Sequence, residues 1–413
     1  MKRTTARALG IAVVTGLALG AGAGAPDVAS ACGGFFCNGG GGGAGPTPVV
    51  QAAERVIFEQ RSDGKVRTYV QIAYQAAPIG FSWIIPVQAV PEIGVAEAAI
   101  FDELDAATNP QFRFILPGGG TSTSGGGGIG CGASASDSPT AGRGAPGGMM
   151  DVDDVRVYGT SRVGDYETAT LGGDTAEALL GWLRDHSYDI PTAATAIVQQ
   201  YVDEGHLFVA FRYAPLSMAA TGTLQPIVLE YAGAKPCVPL RITAIATTPV
   251  LDVMILAFGA QRAAPAAGWM LTEPNYDAIQ QDFSSARRTT YDAEVLSAIG
   301  EAGGRAFVME YAAPTSDIAS AVTNIEAQAL LSRTPYVTRF YTRLTPEAMT
   351  VDPEFDFPGG PDIGRLHVID LSRPTARAER ESPTRFAAAA PIGMAALAGL
   401  ALLARRFRRQ RRA

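Results

Sequence analysis

Histidine, lysine and cysteine are scarce in this chain, and each scarcity removes a class of chemistry. The three histidines are His186, His206 and His367. None lies at zinc-ligand spacing and no H-E-x-x-H occurs. His186 falls at a predicted helix end, where a cation suits the dipole, and His206 opens a predicted strand. Lysine occurs only at Lys2, Lys65 and Lys235, and the other cations are arginine, a codon-composition bias rather than a functional choice. The glycine-rich stretches Gly39 to Gly45, Gly118 to Gly130 and Gly142 to Gly148 therefore carry no phosphate-loop lysine, and no strand-to-helix frame surrounds them. They read as linkers or surface insertions. No G-x-S-x-G nucleophile motif is present. The sequence assigns no catalytic residue, cofactor or metal set.

Long uncharged apolar runs belong to the two ends. Lys2, Arg3 and Arg7 precede the run Ala8 to Ala25, and Ala29-Ser30-Ala31 supplies a small-x-small cleavage pattern. Residues 1–31 are thus expected to be a secretory signal, with Cys32 as the mature first residue. A retained anchor and lipid attachment at Cys32 are the alternatives. At the other end, Phe386 to Ala404 is uncharged, and nineteen helical residues reach roughly 28 Å, just enough to span a hydrocarbon core. Six arginines between Arg405 and Arg412 place the terminus on the cytoplasmic side. The expectation is a transmembrane helix or clipped sorting tail over 386–404, a linker over 373–385 and a cytoplasmic arginine cluster over 405–413.

Setting aside the nine cations of the two ends and Asp27 leaves 24 basic against 39 acidic residues, a net charge near −15. Such a surface repels nucleic acid and anionic lipid, so no nucleic-acid partner is expected.

The body divides into a Cys/Gly-rich mature N-terminus (32–50) and an ectodomain (51–372) interrupted by a glycine-rich insertion (117–150). Alternation predicts strands at Arg55 to Gln60, Lys65 to Tyr74 and Phe81 to Val87, the last held to an edge or strand end by Pro86. A helix is expected over Val95 to Ala107, then strands at Val155 to Tyr158 and Tyr166 to Leu171. The clearest helix follows, capped by Asp174 with Glu177 and burying Ala176, Leu179, Leu180 and Leu183. A second starts at Pro191 and stops at Gly205. Further strands are expected at Leu207 to Tyr213, Ile227 to Tyr231, Val238 to Thr243, Val253 to Phe258, Arg305 to Tyr311 and Tyr336 to Leu344. Helices are expected around Tyr276 to Arg287, Tyr291 to Ile299 and Ser316 to Ser332, the last with Ile318, Val322, Ile325 and Ala329 in register. Hairpins and helices fall in blocks, so the class is α+β: mixed or antiparallel sheets with packed helices.

Four cysteines in an exported chain point to disulfides, with three connectivities open. A local Cys32–Cys37 clip would leave Cys131 to join Cys237. Four residues separate Cys32 from Cys37, against two in thioredoxin-type redox motifs, so a clip is the better reading. Asp151, Asp153 and Asp154, and Asp352, Glu354, Asp356 and Asp362, are acidic loops of the kind calcium uses, though neither matches the twelve-residue calcium loop. Arg339, Tyr341 and Arg343 share one side of a strand: either a face for an anionic or sugar ligand, or the outer face of a half-buried strand.

Several stretches together resemble bacterial domain-of-unknown-function family 2330: Ala31-Cys32-Gly33-Gly34-Phe35-Phe36-Cys37, Ala53-Glu54-Arg55-Val56-Ile57-Phe58, Phe81-Ser82-Trp83-Ile84-Ile85-Pro86-Val87 and Thr338-Arg339-Phe340-Tyr341-Thr342-Arg343-Leu344. The resemblance runs from Cys32 to about Pro358 and implies an exported, envelope-associated protein without an established activity. Related proteins often end in a cysteine-bearing sorting tail, and here no cysteine follows Cys237. Two functions follow as expectations. One is a membrane-anchored, non-catalytic protein that meets an envelope protein or glycan, or has a structural role. The other is an exported hydrolase using paired carboxylates, which need no short motif.

Overall fold

The computed structural model describes residues 35–37, 50–75, 81–117, 121–124, 150–152, 154–188, 194–213, 221–233, 235–247 and 249–372. In chain order come β1 (Phe35–Cys37), β2 (Val50–Gln60), β3 (Lys65–Gln75), β4 (Phe81–Val87), β5 (Glu92–Val95), α1 (Ala99–Thr108), β6 (Gln111–Ile115) and β7 (Thr121–Ser124). Next are β8 (Met150–Val152), β9 (Val155–Val163), β10 (Tyr166–Gly173), α2 (Ala176–Asp185), α3 (Thr195–Asp203), β11 (Leu207–Tyr213), β12 (Thr221–Thr223) and β13 (Ile227–Ala232). The chain continues through α4 (Leu240–Thr243), β14 (Leu251–Gly259), β15 (Ala264–Pro265), β16 (Met270–Thr272), α5 (Tyr291–Glu301), β17 (Ala306–Pro314), α6 (Ile325–Arg333), β18 (Tyr336–Leu344), β19 (Phe355–Asp356) and β20 (Leu366–Asp370).

Two sheets meet face to face in a mixed α+β fold. The first runs β1-β4-β11-β10-β9-β8, all antiparallel. The second runs β16-β17-β18-β14-β2-β3-β13-β5, with β12 beside β3 and parallel pairs at β14–β2 and β16–β17. A small internal cavity lined by Val70 and Ile72 on one side and Trp83 and Ile85 on the other marks the junction. Both sheets feed one apolar core here. The outer face of the first sheet (Ile84, Ala169, Leu171, Phe208, Ala210) is covered by α2 and α3 through Leu179, Leu180, Leu183, Val198 and Tyr201. The outer face of the second carries Arg55, Glu59 and Arg339, which meet α1 and α6 through Asp102, Arg333 and Asp105. The order is therefore helices, sheet, sheet, helices, with the central strands of each sheet buried on both faces.

Pro86 sits where alternation allows it. It pairs with Phe208 of β11, one residue before the end of β4, the strand-end position that a residue without an N–H tolerates. Asp174 does not cap α2. Thr175 does, its hydroxyl accepting from the Ala178 N–H at 3.2 Å, while Asp174 pairs with Arg156. The buried stripe of α2 is the expected one. Val95 ends a strand, and the helix expected there begins at Ala99. Helix α3 begins at Thr195; Pro191 lies outside the described residues.

Three further expectations are corrected. Val238 to Thr243 forms a helical turn rather than a strand, because the Asp352 carboxylate accepts the Arg241 N–H at 2.8 Å and Thr243 bonds back to the Pro239 carbonyl. Tyr276 to Arg287 keeps only a 3-10 turn over Tyr276–Ala278. Downstream, Asp282 takes the backbone N–H and the hydroxyl of Ser284, which compete with helical bonding. Ser316 to Ser332 contains two 3-10 turns before α6, whose cap is Asn324. Glu103 captures the N–H groups of Thr323 and Asn324 and sets that boundary. Ile325 consequently points to solvent, 83% exposed.

Candidate functional site

A recess lies where α2 and α3 stop covering the first sheet. Towards the helices the sheet surface is apolar: Ala169 faces Ala210 and Leu171 faces Phe208. One row along, the same surface becomes charged. Glu167 of β10 stands opposite Arg162 of β9 and Arg212 of β11. This three-strand row is the floor of a cleft of about 720 Å³, within the size range of small-ligand sites.

The wall is the C-terminal end of α2. Its last turn closes as a Schellman motif: the Ser187 N–H bonds the Arg184 carbonyl at 3.0 Å and the Tyr188 N–H bonds the Leu183 carbonyl at 2.8 Å. Ser187 occupies the left-handed position usually given to glycine, at φ 65°. The motif seats Tyr188 against Leu183 in the apolar cluster and leaves Ser187 at the cleft. Trp182 and His186, four residues apart on the helix, stack at 3.7 Å with planes 14° apart, and Tyr188 continues the shelf 6.3 Å from Trp182. The His186 Nδ1 lies 2.7 Å from the Trp182 carbonyl oxygen, which holds the imidazole in the stack.

Floor and wall are tied by one guanidinium. Arg212 donates to the Glu167 carboxylate through Nε at 3.1 Å and also through Nη2, and its Nη1 reaches the His186 carbonyl at 3.4 Å. The hydrogen bonds from Arg212, then its charge, hold the Glu167 carboxyl below the usual carboxylate range. Burial pushes the Tyr188 hydroxyl up to about 12, so it stays neutral. Arg162 is exposed and forms no ion pair or hydrogen bond with any described residue.

The residues singled out from sequence go elsewhere. Cys32 and Cys131 lie outside the described residues, and of Cys37 only the backbone is described, opposite Phe81. Cys237 bridges to Glu354 with a free thiol, which burial pushes well above its ordinary value. The disulfide pairings thus stay expectations. His206 rests edge-on against Tyr201, beside Glu204, and burial lowers its pKa. His367 stacks on Tyr276 and Phe112. The acidic loop residues are dispersed: Asp352 accepts from Tyr201 and Arg241, Asp356 pairs with Lys235, and Asp362 accepts from Tyr336. Among the described residues no His, Cys, Asp and Glu cluster has a metal-binding arrangement.

Arg339, Tyr341 and Arg343 correct the sequence reading most. Arg339 and Tyr341 form neither a ligand face nor an outer face, because α1 and α5 lie over them, whereas Arg343 is half-buried and pairs with Asp252. Arg339 is fully buried, donating to Asp105 at 2.6 Å, to Thr108 at 3.2 Å and to Glu310. Burial alone would raise the Asp105 carboxyl, yet the Arg339 guanidinium holds it below its ordinary value. Tyr291 of α5 donates to Glu310 at 2.9 Å, and Arg287 sits 4.8 Å over the Tyr341 ring. This is an ionic core that docks helices onto the sheet.

Sequence reasoning missed the cleft residues except His186. Trp182 and His186 at i and i+4 on the polar side of an otherwise clean amphipathic helix were a readable signal. The floor was not readable, since Arg162, Glu167 and Arg212 become neighbours only through strand register.

The fold and cleft define an α+β protein built on two large sheets, with smaller β20-β6-β7 and β15-β19 sheets beside them and a ligand-sized recess at one helix end. The chain belongs to the family described as "Uncharacterized protein conserved in bacteria (DUF2330)", which matches residues 26–356. No curated protein and no solved structure matches it.

Proposed function

We infer that this is an exported, membrane-anchored envelope protein whose ectodomain binds an envelope glycan or protein without chemical turnover. The leader and the arginine-ended apolar tail support export and anchoring. The observation that carries the binding role is the cleft, in which the carboxylate, the imidazole and the phenol are each held by a neighbour or kept neutral by burial. Glu167 is ionised and held by Arg212, the His186 Nδ1 faces the Trp182 carbonyl, and the Tyr188 hydroxyl is kept neutral. A rigid aromatic shelf beside a fixed polar floor suits recognition. In the test, purified protein is titrated with solubilised envelope glycan and envelope protein fractions, and binding is read from tryptophan fluorescence. Trp182 is the half-exposed tryptophan, whereas Trp83 and Trp269 are buried. Binding that falls tenfold or more in Trp182→Ala and Arg212→Gln is expected; undiminished binding in both contradicts the reading.

One observation favours the hydrolase. A second recess, of about 540 Å³ at the start of α6, holds Glu97 and Glu326 together. Burial, with a contribution from Glu97, raises the Glu326 carboxyl above its ordinary value. A carboxyl raised above its ordinary range beside a second acid is a feature that a glycosidase acid and its partner share. Hydrolysis of aryl glycosides that disappears in Glu326→Gln would establish this reading; hydrolysis unchanged by that substitution, or none, excludes it.

A further inference from the structure

The charge of the cleft is opposite to that of the protein around it. The body carries a net charge near −15 once the two ends are set aside. The floor carries two guanidiniums and one carboxylate; Arg212 binds that carboxylate through a single oxygen, Oε2, and the charge of Arg162 also acts on it. With two cations to one anion the row keeps a net positive charge, and Arg162, exposed at its end, makes no hydrogen bond or ion pair with any described residue. A surface that repels anions generally, with one positive recess, favours a ligand whose negative charge is local and matched to that point.

The other lining groups describe the rest of such a ligand. The Trp182–His186 stack offers a flat apolar edge for the C–H face of a sugar ring. Thr160 and Ser187 line the same space. Ser187 holds a backbone conformation that costs a non-glycine residue roughly 1 kcal/mol, and strain of this sort gathers at binding sites. A guanidinium fork pairs with a carboxylate through two parallel hydrogen bonds, which lysine does not reproduce. Resting on the cleft-binding reading above, we propose that the recess takes a carboxylate-bearing saccharide of the uronic-acid type. Its ring lies on Trp182 and His186, and its carboxylate is held by Arg162. Arg212 acts as a positioning residue, fixing Glu167 and the α2 terminus.

The test uses full-length protein in detergent micelles, titrated by calorimetry with three probes: hyaluronan hexasaccharide, an oligogalacturonate and the neutral chitohexaose. At least one acidic probe is expected to bind tenfold or more tighter than chitohexaose. Arg162→Glu is expected to weaken it at least tenfold while leaving chitohexaose unchanged, and added salt to weaken the acidic probes alone. Because Arg162 is exposed, its substitution leaves the fold intact, which an unchanged melting temperature verifies. Acidic and neutral probes binding alike, with no effect of Arg162→Glu, overturn the uronate assignment; if Trp182→Ala still abolishes both, the cleft-binding reading survives. No binding of any acidic probe overturns the assignment as well. Envelope fractions that still bind through Trp182 would then keep the broader reading intact.

Discussion

Glu54 shows how one residue can set a pH response. It lies between the two sheets, 4% exposed, accepting a hydrogen bond from the Gln51 amide at 3.0 Å. Burial pushes its carboxyl from 4.5 up to about 7; the Gln51 bond opposes the rise and Asp352 adds to it. The native state therefore holds a proton that the unfolded chain releases above about 4.5. Its stabilising contribution is full below that pH and is lost as pH climbs through about 7. Glu54→Gln keeps the contact with Gln51 and removes the titration. Relative to the parent, its stability is expected to improve by up to about 3 kcal/mol between about pH 5 and about pH 8. Denaturant melts across that range check this, and parallel curves would refute it. Arg339 makes the opposite case, a buried charge paired with two carboxylates, although its Nη2 has no hydrogen-bond partner. Removing it leaves Asp105 and Glu310 uncompensated, so Arg339→Ala should cost about 3 to 5 kcal/mol. Arg156→Ala, at an exposed pair with Asp174, should cost under about 1 kcal/mol in the same urea titration.

At the scale of elements, cap chemistry separates two neighbouring candidates for the start of α2. Thr175 holds the Ala178 N–H and Asp174 only an exposed pair, so Thr175→Ala should destabilise by about 1 kcal/mol and Asp174→Ala by less than about 0.5 kcal/mol. The reverse order in thermal melts would restore the cap read from spacing. Strands were the most legible elements. Phe81–Val87, Leu207–Tyr213 and Tyr336–Leu344 match their expected bounds because β-branched and aromatic alternation is a local signal. What failed was decided by distant partners. Asp352 reaches back to start a helical turn at Leu240, and Glu103 holds the loop before α6 across 220 residues of chain. Burial of Arg339 and Tyr341, on the same face of their strand, followed from helices packing where alternation alone predicts solvent. The cleft was half legible: its helix wall is a local pattern, while its floor needs three strands in register.

At the scale of the molecule, the two sheets and their helix layers place both helix-end recesses on surfaces away from the central core. The family match spans residues 26–356, so the conserved unit includes the cleft and stops short of the apolar tail. Among the described residues no helix is long and apolar enough to cross a membrane, and residues 373–413, which carry the proposed span, lie outside them. The whole account therefore turns on where the folded body sits relative to the bilayer. Protease added to sealed spheroplasts tests this directly, with antibodies against the body and against an epitope placed after Ala413. The account predicts that the body is digested without lysis while a small C-terminal fragment is protected; a body that survives until the cells are broken would contradict it.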